Sequence, residues 1–244
     1  MLLPPALEAR AVRLTLAGVR LSRGDWHLAA DAAFGPGIHF VAGAVGSGKS
    51  TLALIMAGLI APDEGSVVRR GIGSATLSLQ FPESHVTGAT VEEEVRSWGL
   101  DPAEVLGQTG LGPRAAMPPL ALSRGELKRL ELACVLASKH DVCILDEPFS
   151  ALDCAQKRAL CKRLGERTGG ITIIFSHEQH ILPAVDVLWE MEGGRLVCHG
   201  RVPGALERWG AAAPPHIRWA LARGMLPANM RIEDVREAAC RTSG

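Results

Sequence analysis

An α/β fold with a mostly parallel core sheet is what this 244-residue chain predicts, on two patterns. Short, largely apolar runs at residues 38–42, 142–145 and 171–175 read as strands buried on both faces. Segments of helical length lie between such runs, so the strands are joined by crossovers. A third observation places the chemistry. The first buried strand feeds directly into a glycine-rich bend, Gly43-Ala44-Val45-Gly46-Ser47-Gly48-Lys49-Ser50-Thr51.

Taken in order, apolar alternation near residues 12–16 and again at 28–34 predicts two early strands. Gly35-Pro36-Gly37 is a turn, and residues 38–42 form the strand before the bend. Residues 49–59 have helical length and composition, closed by Pro62-Asp63-Glu64-Gly65. A strand over 75–79 ends at Gln80, and glycines and prolines break 99–119 into helical fragments. A packed helix is expected at 126–138, a strand at 142–145, a helix at 154–167 and a strand at 171–175. Residues 185–191 and 195–198, joined through Glu192-Gly193-Gly194, read as a hairpin. Beyond Gly204 the chain is helical in pieces, broken by Pro214-Pro215 and Pro227.

Composition removes several function classes. Basic and acidic residues balance at 26 each, which offers no bulk electrostatic grip on nucleic acid or an anionic membrane. Apolar residues at 47% supply a sizeable core and argue against disorder. The longest apolar run, residues 52–61, is too short to cross a bilayer. Residues 1–5 lack the charged-then-apolar order of a secretion signal, so a cytoplasmic protein is expected. The six cysteines (Cys134, Cys143, Cys154, Cys161, Cys198, Cys240) form no C-x-x-C pair and read as small hydrophobes of a reduced protein.

The bend at 43–51 fits the P-loop pattern in its required place between strand and helix. Glycines let backbone N–H groups turn inward around phosphate oxygens, and the following helix adds its positive dipole end. Lys49 can then reach the β- and γ-phosphates, and the Ser50 hydroxyl can ligate Mg²⁺. A second buried strand ends in Asp146-Glu147. Asp146 there suits the Mg²⁺ shell, and Glu147 suits a general base acting on water. His177 follows the strand at 171–175, whose C-terminal end falls on the same edge, where it can face the γ-phosphate. Gln80 ends another strand and can touch both metal and water. The remaining histidines read as structural.

Leu122-Ser123-Arg124-Gly125-Glu126 precedes the acidic strand, and Ser150-Ala151-Leu152-Asp153 follows it. With the P-loop, Gln80 and His177, this order resembles the nucleotide-binding subunit of ATP-binding cassette (ABC) transporters over about residues 14–206. The resemblance implies a P-loop NTPase cassette at 1–206 with an antiparallel β subdomain and a helical signature subdomain at about 82–138, then a short helical tail at 207–244. It implies a Mg²⁺-dependent ATPase that works as a head-to-tail dimer with an identical or paralogous chain. Each ATP would lie between the P-loop of one chain and the signature of the other, completed by Ser123 and Gly125, with Asp153 at the dimer seam.

Gln80-Phe81-Pro82-Glu83, then Thr90-Val91-Glu92-Glu93-Glu94-Val95, looks most like the ATPases of energy-coupling factor (ECF) importers, as does a signature ending in Glu126. Those importers take up vitamins or transition-metal ions through a transmembrane coupling subunit and a substrate-binding membrane subunit. The implied location is the cytoplasmic face of the cell membrane, with Glu83 and some of Glu92-Glu93-Glu94 lining a groove for arginines of the coupling partner. An ATPase of another importer class, such as one for amino acids, shares these motifs. A DNA-repair or chromosome ATPase would insert coiled-coil arms, and the interval between Lys49 and Ser123 has no room for them. Two departures stand out. Arg124 replaces the first glycine of the usual signature pair. Where the family stacks adenine on an aromatic, this chain offers Ser22 or Arg23, with Trp26 a few residues on; Arg23 can stack by its guanidinium plane.

Overall fold

The computed structural model describes residues 12–242 of the chain; the reading of residues 1–5 lies outside them. Strands β1 (Arg13–Arg23) and β2 (Trp26–Phe34) pair antiparallel, Leu14 opposite Phe34 and Arg23 opposite Trp26. Their register slips between Leu16 and Val19, where Gly18 takes φ 58° and bulges β1. Strand β3 (Gly37–Gly43) leads into helix α1 (Lys49–Ala57), which stops at Gly58 because that residue adopts φ 84° and donates its N–H back to Ile55.

Strand β4 (Glu64–Arg70) then pairs antiparallel with the outer side of β1. Sequence reading treats its first residues as a helix-closing turn. The strand is exposed on nearly every residue, so no alternation of apolar and polar side chains marks it. Strand β5 (Ala75–Ser78) precedes helices α2 (Val91–Ser97), α3 (Pro102–Thr109) and α4 (Arg124–Ala137). Helix α4 starts two residues before the expected position. Ser123 caps it by accepting the Glu126 N–H, while the Glu126 carboxylate accepts the Ser123 N–H at 3.0 Å.

The order continues through β6 (Val142–Asp146), α5 (Cys154–Gly165), β7 (Ile171–Phe175) and the hairpin β8 (Val187–Glu192) with β9 (Arg195–Arg201). Helices α6 (Gly204–Trp209), α7 (Pro215–Leu221) and α8 (Ile232–Thr242) close the described chain. Among the described residues, the nine strands form one sheet in the order β4-β1-β2-β9-β8-β3-β7-β6-β5. From β8 to β5 all pairings are parallel, which agrees with the expected core. Antiparallel pairing is confined to β4, β1, β2 and the β8–β9 hairpin.

Two buried clusters cover the two sheet faces. One packs Leu52, Ile55 and Met56 of α1 against β1, β2 and one face of the parallel strands. The other joins Leu132 and Val135 of α4 to Leu160 and Leu164 of α5 and to the C-terminal helices through Leu206, Trp209, Ile217 and Val235. The C-terminal segment is also pinned by Asn229, whose side chain bonds both the N–H and the C=O of Val185 at 2.9 Å. A third cluster holds α2, α3 and the first half of α4 together around Val91, Val95, Val105, Leu127 and Leu130. Among the described residues no helix is long and apolar enough to cross a membrane.

The acidic run 92–94 does not act as one surface. Glu92 pairs with Arg96 one turn on, and Glu93 accepts the Ala89 N–H. Glu94 turns inward and accepts the N–H groups of Thr87 and Gly88, both at 2.7 Å, and the Trp98 indole at 3.1 Å. It therefore fixes the loop before α2 and is not part of an open groove. Glu94→Ala orphans two backbone donors and an indole at a partly buried site. Urea unfolding should show a loss of roughly 2–4 kcal/mol; a loss within experimental error would remove Glu94 from that role.

Candidate functional site

Parallel pairing brings the C-terminal ends of β3, β7, β6 and β5 to one edge. Val41, Phe175 and Asp146 lie in register, with Ser78 beside Leu145. Each chain leaves that edge into a functional segment: β3 into the phosphate loop, β6 into Glu147, β7 into Ser176-His177, and β5 into Leu79-Gln80.

In the phosphate loop, Gly48 takes φ 104°, and a Cβ there would sit 2.7 Å from the Trp26 ring. A Cβ on Gly43 would meet Ser47 Oγ at 2.7 Å and Met191 O at 2.9 Å. Lys49 is 6% exposed and donates its ammonium to Gly43 O at 2.8 Å and Ala44 O at 3.0 Å. Its Nζ stands 3.6 Å from Glu147 Oε1. The Ser47 hydroxyl is buried without a hydrogen-bond partner.

Asp146 is 1% exposed, and its Oδ1 is likewise buried without a hydrogen-bond partner. Burial raises its pKa, opposed by a hydrogen bond from Ser50 and by the charges of Lys49 and Lys128. An orphaned carboxylate oxygen bonded through its neighbour to Ser50 suits a hard divalent cation. The donor set of Asp146, Ser50 and Gln80 is all oxygen, as Mg²⁺ prefers.

Glu147 departs from β6 with φ 47°, a conformation rare for a side-chain-bearing residue. Its N–H bonds Phe175 O at 2.8 Å. Its carboxylate accepts Ser176 Oγ at 2.7 Å, the His177 N–H at 3.1 Å and His177 Nδ1 at 2.8 Å. With Nδ1 donating to Glu147, the other ring nitrogen of His177 remains for a ligand.

These groups surround one cavity of about 530 Å³, lined by Gly46, Lys49, Ser50, Thr51, Gln80, Glu147 and His177, with Leu21, Arg23, Trp26 and Ile60 also on its wall. Its size suits a nucleotide. Sequence reading overlooks Leu21 and Ile60, and names Trp26 only as a neighbour of Ser22 and Arg23 near the adenine position. Trp26 is packed against the core cluster and also lines the cavity beside Gly48. Arg23 lines the same wall and lies 3.5 Å from Asp63.

The segment 122–126 is elsewhere; none of its residues lines this cavity. Leu122 is buried, while Ser123 is exposed at the start of α4. Gly125 faces Ala151 O so closely that a Cβ would stand 2.8 Å from it. The Ser123 hydroxyl, then its N–H, holds the Glu126 carboxyl below its ordinary range, and Arg114 adds charge at 3.2 Å. Arg124 lies back on its own chain, 5.1 Å over the Phe81 ring and 3.8 Å from Glu83. Asp153 caps α5, accepting the Gln156 N–H at 2.8 Å.

A phosphate loop between strand and helix, with paired acids at the end of a strand on the same sheet edge, defines a P-loop nucleoside triphosphatase. The profile of a family described as ABC transporter matches residues 36–150. The energy-coupling factor transporter ATP-binding protein EcfA of Methanosarcina acetivorans is 34% identical over 187 residues, 66% of this chain and 68% of that relative. The cytochrome c biogenesis ATP-binding export protein CcmA of Nitrosomonas europaea is 32% identical over 198 residues, 71% of this chain and 92% of that relative. Among solved structures, cbiO1 from Clostridium perfringens, part of the ABC transporter complex cbiONQ, shares the fold. Its TM-score is 0.62 at 24% identity, over 84% of this chain and 97% of that one. This chain belongs to the ABC transporter family of ATP-binding proteins, and it binds and hydrolyses ATP.

The raised Asp146 pKa has a signed consequence. The folded, nucleotide-free protein holds that proton more tightly than the unfolded chain, so this contribution to stability is present at low pH. It is lost as pH rises through the folded pKa. Asp146→Asn removes the penalty. Without nucleotide the variant should melt above wild type at neutral pH, each kcal/mol being worth roughly 2–4 °C. The gap should close towards pH 4. A variant that melts lower across the whole range would contradict this.

Proposed function

We propose that this chain is the Mg²⁺-dependent ATPase subunit of an ECF-type importer, acting at the cytoplasmic face of the cell membrane to drive uptake of a vitamin or transition-metal ion. The observation that carries this reading is the convergence of the phosphate loop, Glu147, Gln80 and His177 on one cavity, with Asp146 buried behind it and bonded to Ser50 on its wall. The finer ECF assignment is supported by the Gln80-Phe81-Pro82-Glu83 segment and by the similarity to EcfA. The similarity to CcmA favours a second reading, an ATPase serving an exporter.

In this mechanism the loop residues Gly43 to Thr51 cradle the phosphates, and Lys49 exchanges its carbonyl partners for β- and γ-phosphate oxygens. Ser50, Asp146 and Gln80 would hold Mg²⁺, which would supply neutralisation of the phosphate charge. Glu147 takes a proton from the attacking water, and Ser176 and His177 keep its carboxylate aimed. His177 presents its second nitrogen to the γ-phosphate. The purine end lies against Trp26 and Arg23.

The signature residues Leu122 to Glu126 serve the cavity of a second, identical or paralogous chain. Ser123 and Gly125 lie at an exposed helix start outside their own cavity, which supports that arrangement. Asp153, on the segment touching Gly125, then borders the seam. We read residues 1–206 as the cassette, about 82–138 as its helical part and 207–244 as its tail. A transmembrane coupling subunit docks near Phe81 and Glu83, and a substrate-binding membrane subunit completes the complex.

Glu147→Gln should bind ATP with wild-type affinity yet stop turnover, and gel filtration with ATP and Mg²⁺ should show a doubled mass. Rapid hydrolysis by that variant would end the general-base assignment. If Arg124 adds positive charge to the partner's γ-phosphate, Arg124→Gly should slow steady-state hydrolysis by about tenfold or more. Faster turnover would instead mark the arginine as an obstacle. Co-purification with membrane partners separates the two transport readings: a coupling subunit with a small substrate-binding protein supports import, and an export channel overturns it.

A further inference from the structure

Strand β5 ends at Ser78, so the peptide of Leu79, immediately before Gln80, has left the sheet ladder. Side chains take over where the ladder stops. Lys128 Nζ donates to Leu79 O at 2.7 Å and to Ser78 Oγ at 3.1 Å. His85 Nε2 accepts the Leu79 N–H at 3.0 Å. Both polar groups of one peptide residue are therefore held from outside the sheet.

The cation doing this is expensive. Lys128 is 1% exposed, in the middle of α4, and its counter-ion Glu131 lies at 3.0 Å, one turn along the same helix. Neither Glu131 oxygen has a hydrogen-bond partner among the described residues. His85 stands 3.5 Å from the second oxygen. A buried ion pair of this kind contributes little net stability compared with apolar side chains of equal volume. What it does supply is geometry: a fixed donor at a backbone carbonyl that no strand neighbour reaches.

We propose that Lys128, with Glu131 as its counter-ion and His85 as the second clasp, is a positioning residue for Gln80, and that it sets the affinity of the nucleotide site for its divalent metal. Lys128 follows Ser123 on the same helix by five residues. The tether thus makes the metal-facing end of β5 and the signature start of α4 one mechanical piece. This inference rests on the metal role proposed for Gln80, and its test separates the two.

The measurement is the affinity of the full chain for AMP-PNP with EDTA and again with saturating Mn²⁺, the ratio reporting how strongly the site engages the metal. Lys128→Met/Glu131→Leu removes both charges at similar volume. It should leave the metal-free affinity unchanged and lower the ratio by about tenfold. Gln80→Ala should lower it similarly, and the triple variant should show no further loss, as expected when two changes act through one contact. Lys128→Gln/Glu131→Leu keeps a neutral donor and should recover part of the ratio. His85→Ala, at a partly exposed site, leaves the ion pair in place and should give a smaller loss; it carries the test if the Met/Leu protein fails to fold. A wild-type ratio in the Lys128 and His85 variants alongside a reduced one in Gln80→Ala overturns the tether alone. A wild-type ratio in Gln80→Ala overturns the metal role of Gln80, and the tether with it.

Discussion

The parallel register of β3, β7 and β6 is the constraint from which the site follows. Because Val41, Phe175 and Asp146 lie side by side, β6 and β7 leave the sheet at the level where β3 runs on along β8 for two more residues into the phosphate loop. The handover is hydrogen-bonded: Ser176 N bonds Val41 O, and Glu147 N bonds Phe175 O. A one-residue slip of β6 against β7 would turn Asp146 to the opposite sheet face and carry Glu147 away from Ser176 and His177. The uniformly buried strands 142–146 and 171–175 make such a slip costly, since every residue in them is packed on both faces.

Strain is placed where that edge meets chemistry. Glu147 at φ 47° and Ala151 at φ 61° are the non-glycine residues of positive φ among those described, each costing of order 1–3 kcal/mol. They lie in one short segment that links the acidic strand end to α5. The bonds to Glu147 from Phe175, Ser176 and His177 offset the first. At the second, Ala151 O packs directly on Gly125 at the signature, so any larger residue at 125 would press on a backbone already strained. Strand end, strained turn and signature start are consequently in mechanical contact within one chain.

Much of this was readable from sequence because the signals are local. A P-loop is a run of glycines with fixed spacing, and a buried parallel strand ending in two acids needs no partner to be recognised. The misses have a common cause, which is that their meaning depends on distant residues. β4 carries no apolar alternation because it is an exposed strand defined by pairing with β1. Glu94 sits in an acidic run that reads as surface, and only the folded loop shows two amides and an indole aimed at it. Trp26 stands only a few residues from Arg23 in the sequence, whereas the bend of β1 into β2 sets it beside Gly48 on the cavity wall. Arg124 could be placed on the signature from sequence, but its stacking on Phe81 requires the chain between them to have folded.

Lysine usage ties these observations together. Of the chain's 26 basic residues, only Lys49, Lys128, Lys139, Lys157 and Lys162 are lysines. Two of those five are almost fully buried, and both donate to backbone carbonyls at strand exits: Lys49 at the end of β3, Lys128 just beyond the end of β5. The choice is physical. A compact ammonium with three rotatable donors can bond carbonyls converging from different directions and still face a carboxylate, here Glu147 or Glu131. A planar guanidinium does not match that geometry in the same volume, whereas at Arg124 over Phe81 a flat cation stacks. Balanced overall charge is thus compatible with a strongly polarised interior. The two buried cations stand at the two strand ends that must be held in place when phosphate arrives.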